Sequence, residues 1–96
     1  MSEVVNEAVT ALKAKLGDGG FDSVVKFTIN GEGSVMVDAN GVRAGDDEAD
    51  CTLSADSDTF QSIMDGSLNP TAAFMSGKLA VDGDMGIAMK LGAALA

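Results

Sequence analysis

Ninety-six residues, 46% hydrophobic and 22% charged, describe a single globular domain with one modest core rather than a disordered chain. Fifteen acidic against six basic residues give a net charge of −9, which repels phosphate backbones and anionic bilayers; nucleic-acid binding is excluded and membrane contact is at most transient. With no His, the commonest metal ligand, and no apolar run of the ~18 residues that span a bilayer, neither a metal or cofactor nor a transmembrane segment is expected.

In chain order, Val5, Val9, Leu12 and Leu16 recur at helical spacing. Ser2 is placed to cap that helix, Glu3 and Glu7 stand early and Lys13 and Lys15 late, as the helix dipole prefers, and Gly17 with Gly19-Gly20 ends it. Alternation follows. Val25, Phe27 and Ile29 share one face of a strand, and Asn30-Gly31 with Gly33 makes a turn into a second strand carrying Val35 and Val37, with Met36 on its opposite face. Asp38-Ala39-Asn40-Gly41 turns the chain again into a short strand from Val42 to Ala44. After the acidic loop Asp46-Asp47-Glu48, Ala49, Cys51 and Leu53 alternate inward. Successive strands joined by tight turns imply antiparallel pairing.

Helical spacing then returns. Asp58 with Gln61 resembles a capping box, and Phe60, Ile63 and Met64 fall on one face before Gly66. Asn69-Pro70 opens another short helix, with Ala72, Phe74 and Met75, that stops at Gly77. Lys78 to Asp82 reads as a last strand with Leu79 and Val81 inward, and Gly83-Asp84 starts a terminal helix to Leu95. Helices segregated from a run of mostly antiparallel strands define an α+β fold, with the helices covering one sheet face.

The terminal helix carries almost no polar face. Met85, Ala88, Met89, Gly92 and Leu95 form one apolar stripe; Ile87, Leu91 and Ala94 form another. One stripe can pack on the body. The other needs burial in the core, a cavity ligand, a second copy of the chain or a membrane. A second cluster, Phe60, Ile63, Met64, Leu68, Phe74 and Met75, sits on two short helices that are either ordinary core or pieces able to part around a ligand. Six Met suit space that must adapt to varied shapes.

Catalytic chemistry is missing from the pattern. Cys51 has no His to activate it and no partner for an internal disulfide, so it reads as a small buried hydrophobe in a chain suited to a reducing cytoplasm. Gly31-Glu32-Gly33 lies between two strands rather than before a helix, which rules out a dinucleotide loop. Asp56-Ser57-Asp58 and Asp82-Gly83-Asp84 lack the distal Glu of a calcium loop and suit helix caps. No pair of carboxylates stands on an identifiable framework, so no enzyme activity is expected.

The stretch Ser67 to Met85 resembles the C-terminal signature of the sterol carrier protein 2 family. Gly66, Leu68 and Pro70 match its first part; Ala73-Phe74-Met75, Gly77-Lys78-Leu79 and Gly83-Asp84-Met85 match the rest. Phe27, Ile29 and Gly31 are similar to the family's Phe-x-Ile-x-Gly turn, and Ala49-Asp50-Cys51-Thr52-Leu53 to its Ala-Asp-x-Thr-Ile strand. The resemblance implies a five-stranded sheet with helices on one side enclosing an apolar tunnel, binding fatty acids, acyl-CoA, sterols or phospholipids without metal or reaction. By position it implies that Phe74, Met75, Met85, Met89 and Leu91 line or cover the tunnel and that Phe60, Ile63 and Met64 form its opposite wall. Val35-Met36-Val37 stands where the family has an aromatic, and the chain ends Ala94-Leu95-Ala96 rather than in a peroxisomal address. A stand-alone bacterial member in the cytoplasm, monomeric, with a linear acyl chain as ligand, is the resulting expectation. The alternative is an interaction or dimerisation module built on the terminal helix.

Overall fold

The computed structural model describes residues 3–17 and 21–95. Ser2 and Gly19-Gly20, read above as signals bounding the first helix, lie outside the described residues. In order come α1 (Glu3–Leu16), β1 (Val25–Ile29), β2 (Gly33–Asp38), β3 (Gly41–Ala44), β4 (Cys51–Ala55), α2 (Ser57–Met64), α3 (Pro70–Met75), β5 (Ala80–Gly83) and α4 (Met85–Leu95). The five strands form one sheet in the order β3-β2-β1-β4-β5, giving the expected α+β architecture.

The alternation of β1 sets the inner face: Val25, Phe27 and Ile29 are buried, and Cys51, Leu53 and Ala55 of β4 continue that face. Helix α1 adds Val5, Ala8 and Leu12, spaced three and four residues apart so that they share a face. These residues join Phe60, Ile63, Ala73, Leu79 and Leu91 in one core beneath the helices. Among the described residues no helix is long and apolar enough to cross a membrane.

The pairing departs from the sequence expectation at β4. β1, β2 and β3 form an antiparallel meander, but β4 skips β3 and runs parallel to β1, with Phe27 beside Leu53. The acidic 45–50 connection makes this crossover on the sheet face away from the helices. It is tied down by a Lys26–Asp46 ion pair of 2.9 Å and by bonds from Gly45 N–H to the Ser34 carbonyl (3.1 Å) and from Asp50 N–H to the Val24 carbonyl (2.9 Å). The same connection covers Met36: a Cβ on Gly45 would lie 3.0 Å from Met36 Cγ, and Met36 is fully buried although it points away from the main core. Placing β4 inside the sheet buries its three apolar side chains and bonds both its edges, which an edge position beside β3 would not do.

Two boundaries also differ. Asp56, not Asp58, caps α2: its backbone is extended and its Oδ1 accepts the Thr59 N–H at 2.7 Å, while Asp58 sits in the first turn. The last strand starts at Ala80 rather than Lys78, because the N–H groups of Lys78 and Leu79 both donate to the Ala73 carbonyl (2.9 and 3.1 Å) and close the end of α3.

Candidate functional site

An apolar cavity of about 230 Å³ lies between the sheet and the α3–α4 pair. Its floor is one row of side chains across three adjacent strands: Phe27, Leu53 and Val81 are register partners on β1, β4 and β5. Phe27 is held from behind by Phe60, whose ring meets it edge-on at 4.8 Å between centroids and 76° between planes. Ile63 of α2 and Leu79 complete the inner wall.

The two helices on either side are locally encoded. Asn69 Oδ1 accepts the N–H groups of Thr71 (2.8 Å) and Ala72 (3.3 Å), Pro70 occupies the first turn, and the six-residue α3 turns Pro70, Thr71, Phe74 and Met75 to the cavity. Asp84 Oδ1 accepts the N–H groups of Gly86 (2.8 Å) and Ile87 (3.2 Å), starting α4. From there the stripe Met85, Ala88, Met89, Gly92 and Leu95 faces the cavity. On another side of α4, Lys90 pairs with Asp22 at 2.6 Å and sits 5.9 Å from the Phe21 ring centroid. That ion pair holds the Asp22 carboxyl below its ordinary pKa.

The cavity is almost free of polar groups. Thr71, an exposed residue, is the one lining side chain with a hydroxyl, and no lining side chain is ionisable. Four lining residues are also the exposed large apolar side chains among the described residues: Phe74 (39% exposed), Met75 (81%), Met85 (43%) and Met89 (66%). They form a greasy rim, while Phe27, Leu53, Ile63 and Leu95 at the inner wall are buried. Three of the four rim residues are methionines, whose unbranched thioethers swing at little energy. Cys51 is buried on β4 and does not line the cavity; burial first, then the Asp84 and Asp82 carboxylates, push its thiol pKa up, which keeps it protonated. Among the described residues no cluster of His, Cys, Asp or Glu could hold a metal ion.

Of the residues named from the sequence, Ile63, Phe74, Met75, Met85 and Met89 meet around this cavity. Phe60 and Met64 do not. Helix α2 splits its apolar face, turning Ile63 to the cavity and Phe60 and Met64 to a separate groove against Val4, Ala8 and Ala11 of α1. Leu91 is fully buried and lies outside the lining, because it belongs to the second stripe of α4 and points into the core. The named set lacked the floor residues Phe27, Leu53 and Val81, whose convergence depends on strand register. It also lacked Ala88, Gly92 and Leu95, which the helical stripe through Met85 and Met89 already contained.

A sheet and a layer of helices around an apolar cavity with no ionisable side chain in its lining have the geometry of a small-molecule binding site. Residues 4–96 match the family model described as the SCP-2 sterol transfer family, and the chain belongs to that family. It is 44% identical over 85 residues to sterol carrier protein 2 of Homo sapiens, an alignment covering 86% of this chain and 14% of that protein. It is 42% identical over 76 residues to hydroxysteroid dehydrogenase-like protein 2 of Danio rerio, covering 71% of this chain and 18% of the other. The chain thus spans under a fifth of these relatives. Among solved structures, sterol carrier protein 2 from Aedes aegypti in complex with the C16 fatty acid palmitate superposes with a TM-score of 0.76 at 24% identity, covering 100% of this chain and 97% of that one. Sterol carrier protein 2 like 2 from the same organism matches with a TM-score of 0.76 at 24% identity, covering 94% of each chain.

Proposed function

We propose that this domain is a non-catalytic intracellular carrier that takes one linear lipid chain, such as a fatty acid or its thioester, into the α3–α4 cavity. The observation that carries the reading is the absence of any charged side chain from a cavity whose rim alone exposes large apolar groups. Binding is driven by desolvation, at about 0.8 kcal/mol per methylene moved out of water. Palmitate in the Aedes aegypti complex, on the same fold, supports a single chain as cargo. So does size: about 230 Å³ is small beside the roughly 300–1,000 Å³ of drug-sized ligand sites, which favours a flexible chain over a rigid sterol. The rim methionines and Phe74 part to admit the chain and close on it. The net charge of −9 keeps contact with anionic membranes brief. The domain acts as a monomer in the cytoplasm and requires no cofactor.

Solvent extraction of natively purified protein, with titration of a fluorescent fatty acid, tests this. Stoichiometric lipid and micromolar binding support it; an empty extract with no titratable binding sinks it. The exposed rim also favours a second reading, in which another copy of the chain covers Phe74, Met75, Met85 and Met89. Light scattering that reports a dimer unchanged by fatty acid would select that reading.

A further inference from the structure

On the reading that this cavity holds a lipid chain, we infer that the chain enters tail-first and leaves its head group in water, so that selectivity lies at the far end of the chain and not at the head. The inner wall is built from the buried side chains of Phe27, Leu53, Ile63 and Leu95, none of which can donate or accept a hydrogen bond. Thr71, the one hydroxyl in the lining, belongs to an exposed residue. A carboxylate or phosphate carried inward would therefore lose its water and gain no partner, the most unfavourable burial a small anion can meet. A terminal methyl meets only matching carbon.

Toward the opening the constraint vanishes. Met75 and Met89, the two most exposed large apolar residues among the described residues, mark where the chain leaves the protein. No Lys or Arg lines the cavity to hold an anionic head there. Neither Lys78 nor Lys90, the lysines that adjoin Leu79 and Met89 in the chain, belongs to the lining, and Lys90 is paired with Asp22; Asp84 caps the helix that begins at the rim residue Met85, and Asp82 precedes it. The site consequently accepts acids, esters, thioesters and glycerides of one chain with similar strength. It rejects chains carrying a second polar group at the ω end, which are the products of ω-oxidation. The structure thus assigns the protein to unoxidised chains whatever is attached at the carboxyl end.

Displacement of a fluorescent fatty acid by hexadecanoate, 1-hexadecanoyl glycerol, 16-hydroxyhexadecanoate and hexadecanedioate tests the assignment. Hexadecanoate and the glyceride are expected to compete within a factor of about three of each other, and the ω-hydroxy acid at least about tenfold more weakly because its hydroxyl is buried unpaired. The diacid is expected to be weaker still. Carbon-13 labels supply an independent reading: a soluble gadolinium chelate should broaden bound [1-13C]hexadecanoate and spare the [16-13C] label. Equal competition by the ω-substituted acids, or a protected carboxyl carbon with an exposed methyl, overturns tail-first binding while leaving the carrier reading intact. If hexadecanoate and its glyceride both fail to compete and no labelled chain binds, the carrier reading itself falls, and this inference with it.

Discussion

Replacing Gly92 by Leu should close the cavity and leave the fold standing. Gly92 lies mid-way along α4 in the stripe that faces the cavity, and a Cβ there would meet Pro70 Cβ at 3.6 Å, an ordinary contact distance. The backbone therefore tolerates a side chain, and the atoms beyond Cβ have only the cavity to occupy. Glycine inside a helix is less favourable than leucine by about 0.5–1 kcal/mol, so the variant helix gains intrinsic stability. A leucine side chain fills the space of about four chain carbons, and at about 0.8 kcal/mol for each one displaced, ligand binding weakens by about 3 kcal/mol. That is more than a hundredfold in Kd, at about 1.4 kcal/mol per decade. Gly92→Ala removes space for about one carbon and should weaken binding about fourfold. Far-UV circular dichroism melts and titration with a fluorescent fatty acid measure both quantities. The expected result is an equal or higher Tm with binding lost stepwise from Gly to Ala to Leu. A Gly92→Leu variant that binds as the parent does would refute the location of the site. One that melts far below the parent would show that the space is already filled by interlocked side chains.

Four further outcomes are expected. Dilute peroxide should oxidise Met75, Met85 and Met89 at the exposed rim before Met36, which is fully buried, and the polar sulfoxides should lower fatty-acid affinity until a sulfoxide reductase restores it; peptide mass spectrometry showing Met36 oxidised as fast as Met75 would contradict the burial. Asn69→Ala removes the acceptor for two N–H groups at the start of α3; the loss of about 1 kcal/mol should lower Tm by roughly 4–8 °C, and an unchanged Tm would argue against the cap. Asp56 is held below its ordinary pKa, chiefly by the Thr59 N–H, so its cap contribution is present above the unfolded carboxylate value and fades as pH falls through the lower folded one; stability should drop on acidification below about pH 4, and less so in Asp56→Asn, as chemical denaturation at stepped pH would measure. Cys51, buried and with its thiol pKa raised, should resist thiol reagents at neutral pH until the protein is unfolded; rapid labelling of the native protein would refute that burial.

Much of the local structure can be read directly from the residues. The spacing of Val5 and Leu12, the alternation of Val25, Phe27 and Ile29, and the Asn69-Pro70 start of α3 each encode their element through forces acting within a few residues. The sequence pattern points to a cap for α2 two residues late, because Asp56 and Asp58 are both good cap types and only backbone conformation selects between them. For the site, the stripe through Met85 and Met89 marked one wall, since helical periodicity fixes which side chains share a face. The same periodicity groups Phe60 and Met64 with Ile63, but a helix packed between two neighbours divides its apolar face between them.

Residue type and short-range spacing set the helices and strands and the excess of apolar surface on α4. Long-range packing inserts β4 beside β1 in parallel, which brings Phe27, Leu53 and Val81 into one row as the floor of the cavity. It also decided which stripe of α4 faces that floor, turning Leu91 into the core and leaving Met89 at the rim. Such choices rest on contacts between residues far apart in the chain, where burial of the whole apolar set, rather than any local preference, selects the arrangement.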